Sequence, residues 1–399
     1  MWKPKNLLEA LLPIYILHII FCHGVIQYPA ISKSKINYYS LVFSIITTSA
    51  SLVCYVIVCW NFFGPSWITS IQIIYFIFIN ILTFSMYVNI VRSWISNNET
   101  LKINLRLIKA DENLGNLGVP VDTQRGLTLS IKAAVSWIIA SVFIGVYGIW
   151  LYDDDMDLSN KIIVVFTRQH GYNVNFFIDL TFCLLINHMK MRFEKVNKAL
   201  LDILEIHTND NNRKKDIFTS MVVHPSNSDR NFIKILHKLR RIHLELGILC
   251  HEITNVYGIA LVLTMVQSFF LLTTIPFGMY IASSNPTFTP LIRMLRILTL
   301  IGWLIIAYSQ FICINHSCDK TTTEWKRTGE IICKLDIESE DEKVKREIDK
   351  FSTQILLNPL KFSPCGLFDL GYYFVRDLIG SVTAQLIILI QTYPINHSK

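Results

Sequence analysis

The chain has 399 residues, of which 52% are hydrophobic, 12% aromatic and only 17% charged. A soluble fold of this length covers its core with amphipathic elements whose outer faces are polar, so this much apolar sequence excludes it and points to an all-α, polytopic membrane protein. The formal net charge of +7 is gathered in particular inter-helix segments. It therefore reads as membrane topology, and no nucleic-acid partner is expected.

The first apolar stretch, Leu7 to Ile26, is interrupted by Pro13, His18 and His23, which predicts a re-entrant or interfacial helix in place of a full span. Met1 to Asn6 is basic, but no small-residue cleavage site follows, so a cleaved signal is not expected. Seven runs then reach the length needed to cross about 30 Å of hydrocarbon. They lie near Tyr39 to Phe62, Ile68 to Val91, Ile131 to Tyr152, Ile162 to Ile186, Leu249 to Ala282, Leu291 to Cys313 and Gly371 to Tyr393.

Basic residues orient these seven spans. Lys3, Lys5, Lys33 and Lys35 precede the first, and Lys102, Arg106, Lys109 and Arg125 lie between the second and third. Twelve more, from Lys190 to Arg241, separate the fourth and fifth, and nine, from Lys320 to Lys361, separate the sixth and seventh. The alternate loops, Phe63 to Trp67, Asp153 to Leu158 and Ser283 to Pro290, carry none. The positive-inside rule then places the N-terminus in the cytoplasm and the C-terminus outside. That inverted topology argues against a G-protein-coupled receptor, whose N-terminus is outside; the Asp-Arg-Tyr and Asn-Pro-x-x-Tyr signatures are absent too.

Several helices are expected to run on past the membrane. Lys190 to Ile206 and Asn231 to Leu246 show apolar residues at helical spacing with charges between them, and His207 to Asp229 between them reads as a polar loop. A third amphipathic stretch, Arg327 to Leu357, carries an apolar stripe at Val344, Ile348, Phe351 and Ile355. These extensions are solvated helix ends or, on the favoured reading, a bundle under the membrane that joins subunits. None of the nine cysteines falls in a predicted outer loop, so no disulfide framework is expected. The spacing of Cys313, His316, Cys318 and Cys333 fits no familiar zinc pattern, and neither a metal nor a cofactor is expected. Of three glycosylation sequons, those at Asn98 and Asn315 fall on the predicted cytoplasmic side and that at Asn396 outside.

Polar residues inside spans are costly in lipid and point to function. In the fourth span Arg168, Tyr172, Asn175 and Asp179 recur at i, i+4, i+7 and i+11, on one helical face. The fifth span adds Tyr257, Thr264, Gln267 and Ser268 on a second face, and the third offers Ser141, Tyr147 and Trp150 toward its outer end. With Trp303 of the sixth span, Tyr147, Trp150, Arg168, Tyr172, Asn175, Asp179, Thr264, Gln267 and Ser268 form the candidate ligand-binding set. Aromatics with a few hydrogen-bonding groups are the usual lining of a small-molecule pocket. The competing reading is interface anchors and self-bonded hydroxyls.

The closing segment, Leu378 to Gln391, reads LIGSVTAQLIILIQ, an apolar helix ending in a glutamine. It follows the connector KFSPCGLFDLG, Lys361 to Gly371. Gly380, Ala384, Ile387 or Ile388, and Gln391 share one face, small residues below and a polar one near the top. Taken alone, that face is a pore lining or a helix-packing seam.

These residues resemble the last helix of insect gustatory receptors, in which a Thr-Tyr pair, five hydrophobic residues and Gln-Phe recur. Leu386 to Ile390 supplies the five and Gln391 the glutamine, with Gly380, Val382 and Thr383 before them. The connector and the start of the fifth span, with His243, Leu246, Asn255, Tyr257 and Gly258, are similar to the family as well. The resemblance implies a tetrameric ligand-gated cation channel, homomeric or heteromeric with related subunits, in the plasma membrane of chemosensory neurons. It implies a pore lined by Ala384, Ile387, Ile388, Gln391 and Thr392. Ala384 and Gln385 replace the Thr-Tyr pair and Thr392 the terminal phenylalanine, so the apolar barrier would fall to the isoleucines. Leu386 stands where sugar-sensing members often carry glutamate, which tilts the expected tastant toward bitter or other non-sugar compounds, with sugar kept open.

On this reading residues 1–320 form the ligand-binding helices with cytoplasmic extensions at about 190–246, residues 321–369 a cytoplasmic anchor and connector, and residues 370–399 the pore helix and a short extracellular tail. Arg376 and Asp377 are expected to hold the connector against the pore helix. The alternatives are a non-channel transporter or a seven-helix receptor coupled to a cytoplasmic partner. An enzyme is not expected, since the eleven histidines form no His-x-x-x-His or His-Glu-x-x-His pair within the spans. A transporter usually shows internal repeats, and none is evident.

Overall fold

The computed structural model describes residues 7–20, 38–62, 70–151, 157–217, 228–284, 289–338 and 342–392. Among these the regular structure is helical throughout. Helices α1 (Leu7–Ile20), α2 (Tyr38–Phe62), α3 (Ser70–Ile95) and α4 (Asn97–Gly115) are followed by α5 (Thr123–Leu151) and α6 (Leu158–Ile217). Then come α7 (Ser228–Ser284), α8 (Pro290–Glu338), α9 (Glu342–Leu357) and α10 (Tyr372–Thr392), with a 3-10 turn at Pro364–Gly366 in the connector. Within the described residues all seven predicted runs fall on helices. Outside the described residues lie the first six residues with their basic cluster, the alternate loops for the most part, and the tail from residue 393.

Six of the helices are long and apolar enough to cross a membrane: α2, α3, α5, α7, α8 and α10. The predicted fourth span, within α6, is not among them, and its surroundings explain why. Helix α6 packs against α2, α3, α5, α7 and α8, with α1 and α4 closing the remaining sides. Asn173, Asn175, Asp179, Asn197 and Arg192 are all buried along it. A helix walled in by protein needs no apolar exterior, so its polar residues depress its hydropathy without exposing a polar surface to lipid.

Helix α1 has 14 described residues, about 21 Å by helix rise, and the rest of the predicted stretch, to Ile26, lies outside the described residues. It lies against α4, α5 and α6 with Ala10, Leu11, Ile14 and Tyr15 buried. His18 Nε2 meets Thr181 Oγ1 at 2.6 Å, and Asn104 Nδ2 donates to the Tyr15 hydroxyl at 3.1 Å. The histidine that interrupts the apolar run is thus a packing contact to α6.

At one end of the bundle α6, α7 and α8 run on together, and helix α6 continues through Ile217, eleven residues into the stretch expected to be a loop from His207. Helix α9 folds back onto α7 and α8 with Val344, Ile348 and Phe351 buried, as their spacing predicted. Arg240 Nε donates to Glu347 Oε1 at 2.7 Å and His237 Nδ1 meets the same oxygen at 3.0 Å. Burial alone would push the Glu347 carboxyl up; the hydrogen bonds from His237 and Arg240 and their charges outweigh it and hold it below its ordinary value. Gly247 is required here, because a Cβ at that position would fall 2.7 Å from the Trp325 ring. His243 stacks on the same ring, centroids 3.9 Å apart. These helices bundle within one chain.

The helix not foreseen is α4. Its buried Ile103, Leu107, Ala110 and Leu114 recur at i, i+4, i+7 and i+11, an amphipathic stripe in a segment otherwise conspicuous for its charges. Asp111 on α4 accepts from Arg192 Nε and Nη2 at 2.7 and 2.6 Å, which pairs the fully buried guanidinium of α6.

Candidate functional site

At the end of the bundle opposite the helical extensions, α5, α6 and α8 enclose a cavity of about 540 Å³. Tyr147, Phe143 and Ile144 come from α5, Arg168 from α6, and Leu298, Thr299, Gly302, Trp303 and Ile306 from α8. A second space of about 260 Å³ opens between α3, α6, α7 and α8, lined by Phe78, Tyr172, Leu271, Ile275 and Phe277 among others. Arg168, Thr299 and Trp303 border both. The Arg168 guanidinium carbon lies 5.1 Å from the centroid of the Trp303 ring, and the Tyr172 ring meets the same tryptophan with centroids 4.8 Å apart. A cation over an indole is held by the ring quadrupole while its N–H groups stay directed outward. The walls thus hold one charged side chain and the hydroxyls of Tyr147, Thr274 and Thr299 among aromatic and aliphatic groups.

The predicted ligand set therefore divides. Tyr147, Arg168, Tyr172 and Trp303 border the two cavities, while the Trp150 side chain lies outside the described residues. Asn175 turns to α3, where its Oδ1 accepts from Asn89 Nδ2 at 2.9 Å. Asp179 accepts from Thr264 Oγ1 at 3.0 Å and from Gln310 Nε2 at 2.6 Å, joining α6 to α7 and α8. Gln267 and Ser268 are buried in α7 and line neither cavity. On α5, Ser141 Oγ and Trp137 Nε1 both donate to Asn173 Oδ1, at 3.0 and 2.9 Å. Below the cavities the polar stripe of α6 thus serves as interhelical hydrogen bonding. Phe143, Ile144, Phe78 and Leu271 had no distinguishing signal, because apolar residues fill every span.

The connector shows how α10 is held. A Cβ on Gly258 of α7 would sit 3.2 Å from Cys365 Sγ and 3.3 Å from Cys365 N, so any other residue would require the connector to shift by a few tenths of an ångström. Cys365 and Gly366 both take positive φ, 51° and 71°, to form the turn. Gly371, at φ 148°, donates its N–H to Asn315 Oδ1 at 3.0 Å. Asn315 is fully buried, so the sequon there is a structural clamp. The Tyr372 hydroxyl lies 2.5 Å from His316 Nδ1. Arg376 and Asp377, expected to hold the connector, instead pair with each other at 3.1 Å and are exposed.

Helix α10 leans on the bundle through Val375, Leu378 and Val382, with Phe374 packed beside them. At 100° per residue those three define one side. Gly380, Ala384, Ile387 and Gln391 then fall on the opposite side, and all four are exposed; Ile388 and Thr392 are exposed as well. Among the described residues no three His, Cys, Asp or Glu side chains gather as a metal site.

Residues 14–395 match the family model described as 7tm Chemosensory receptor. Among curated proteins the chain is similar to gustatory and pheromone receptor 32a of Drosophila melanogaster, 30% identical over 98 residues, 25% of this chain and 21% of the relative. It is 22% identical to the gustatory receptor for sugar taste 43a over 39% of this chain and 36% of the relative. It is 24% identical to the gustatory receptor for bitter taste 66a over 39% and 30%, both relatives from the same fly. The aligned stretches span well under half the length of these curated relatives. Among solved structures the chain is similar to the insect olfactory receptor OR5 from Machilis hrabei, with TM-score 0.71 and 12% identity, covering 96% of this chain and 98% of that one. The same receptor in complex with eugenol gives 0.60 and 13% identity over 97% and 99%. That likeness is one of fold.

Proposed function

The chain belongs to the 7tm chemosensory receptor family and is a multi-pass membrane protein, and from that premise we propose that it is a gustatory receptor: a ligand-gated, poorly selective cation channel opened by a small tastant. The single observation that supports a channel most is the uncovered face of α10, Gly380, Ala384, Ile387 and Gln391, opposite the side that leans on its own bundle. Gln385, Gln391 and Thr392 on that helix are exposed in one chain, and a helix ringed by lipid would bury their polar groups at a free-energy loss. Four such helices around a common axis would place that face on water and cover the rest against neighbouring subunits. Few charges line it, which supports weak selectivity among cations. The orientation is N-terminus cytoplasmic and C-terminus extracellular, in the plasma membrane of chemosensory neurons, with homo- or heterotetramers as the assembly.

The cavity supports a non-sugar ligand. A sugar carries many hydroxyls that must each find a partner, and walls of Phe143, Ile144, Leu298 and Trp303 leave most of them unpaired. An apolar or aromatic compound with one acceptor suits Arg168. Helix α8 joins ligand to pore: Trp303 borders the cavity, and Asn315, twelve residues on, clamps the connector, about 18 Å away by helix rise. Binding that favours one setting of α8 shifts the population of α10 through that clamp.

The test is whole-cell recording from cells expressing the chain during a tastant screen, with Ile387→Cys exposed to a charged thiol reagent. Ligand-evoked cation current that the reagent blocks in the variant alone is expected. Anion-selective current, or current indifferent to modification at Ile387, would sink the pore assignment.

A further inference from the structure

On the face of the bundle away from the ligand cavity, α4 and α7 enclose a cleft of about 580 Å³. Arg106 and Lys109 stand on the α4 wall, Lys238 and Arg241 on the α7 wall, over a floor that includes Ala110 and Ile242. The carboxylate in this lining is Glu245, and it is already engaged: Arg106 donates to it at 2.9 Å and to Glu252 at 2.6 Å. Lys109, Lys238 and Arg241 are exposed and make no ion pair among the described residues. Three unmatched cations facing one concave space repel each other, and a multivalent anion between the walls relieves that repulsion.

We propose that this cleft binds a small polyphosphorylated anion. Both walls are basic, so a ligand with phosphates on more than one side satisfies them together where a single phosphate meets only one. Arginine forks match phosphate oxygens, lysines add point charge, and Asn113 and Asn116 at the same cleft offer neutral amide donors. The volume suits a ligand of inositol-polyphosphate size.

Such phosphates come from a soluble molecule or from a lipid head group, and the geometry favours the first. Helix hydrogen bonding continues from α3 into α4 through Ser96, whose N–H bonds Arg92 O while its carbonyl accepts from Thr100 N–H. Lys109 is fourteen residues beyond Ile95, the end of the apolar span of α3, about 21 Å by helix rise. The head-group layer is only about 5–8 Å deep. The physiological source rests on the cytoplasmic placement of this end proposed above, whereas the cleft chemistry does not.

The experiment titrates inositol hexakisphosphate into the purified full-length chain in detergent at about 150 mM salt, by calorimetry. Saturable binding is expected, weakened about tenfold or more by Lys238→Ala with Arg241→Ala and likewise by Lys109→Ala, since each removes a charge-assisted contact. Lys334→Ala with Lys345→Ala, exposed elsewhere on the same end, should leave it unchanged. A parallel arm uses vesicles carrying a bisphosphorylated inositol lipid. Capture by vesicles alone, lost in the Lys238 and Arg241 variant, would support the phosphate chemistry with the membrane as its source. No saturable binding in either arm, or equal binding by every variant, overturns the proposal. Applying the compound from the pipette or the bath during recording then separates a wrong orientation from a wrong site.

Discussion

Asn315→Leu tests the clamp between the proposed ligand cavity and the proposed pore helix α10. The substitution keeps size roughly constant but removes the Oδ1 that accepts the Gly371 N–H at 3.0 Å. That donor is buried, and no water route is evident because Asn315 itself is fully enclosed. An unsatisfied buried N–H is destabilising by about 1–3 kcal/mol. The phenylalanine carbonyl that Asn315 Nδ2 also reaches, Phe311 O at 2.9 Å, keeps its helical partner, so the effect centres on the connector. If cavity and pore communicate through α8, the lost clamp subtracts from their coupling. A coupling change of that size moves the half-maximal tastant concentration upward by about 5- to 150-fold. The assay is a concentration–response series by whole-cell recording, with surface biotinylation to show that the chain still reaches the membrane. Gly371→Ala perturbs the same joint by different physics, since φ 148° is strained for a residue with a side chain. Both variants should shift the curve in the same direction. Wild-type curves from both, at equal surface expression, would refute transmission through this joint.

Three further outcomes are expected. Arg168→Ala should raise the half-maximal concentration of an aromatic tastant by about 2- to 30-fold, the worth of a cation–π contact, with Trp303→Ala at least as severe; unchanged curves would remove the cavity from ligand binding. Glu347 is held below its ordinary carboxyl value of 4.5 by His237 and Arg240 against the opposing effect of burial. Its stabilisation is therefore present above about pH 4.5 and lost as pH falls through the lower folded value, so thermal unfolding in detergent should decline on acidification more steeply in the wild type than in Glu347→Gln. Parallel declines would show that the α7–α9 contact carries no such linkage. Thr392→Phe should lower basal current, because a ring closes an apolar constriction that a hydroxyl leaves wet; undiminished basal current at equal expression would place the gate elsewhere.

Hydropathy made the helices legible because lipid imposes a long apolar surface on whatever faces it. Helix α6 shows where that logic stops. Its run was visible by length, yet protein on every side lets it carry Asn173, Asn175 and Asp179, and periodicity alone placed Arg168, Tyr172, Asn175 and Asp179 on one face. A shared face does not determine what lies across it. Near one end Trp303 of α8 meets Arg168 and Tyr172 at the border of two cavities; further along, Asn89, Thr264 and Gln310 close the gap. Whether a polar residue lines a site or fastens a bundle is decided by the neighbouring helix.

The uncovered face of α10, proposed above as a pore lining, was legible for the opposite reason. Helix α10 touches its own chain on one side only, so the small and polar positions excluded from Val375, Leu378 and Val382 necessarily point away. The clamp at its base was hidden in residues with other plausible roles: Asn315 sits in a sequon and Gly258 in an apolar span. Their function lies in a close approach and a single acceptor, properties of three elements meeting. Among these, Gly258 carries the stricter constraint. An asparagine can be replaced by any acceptor of the right reach, but a Cβ 3.3 Å from a backbone nitrogen obliges the connector itself to move.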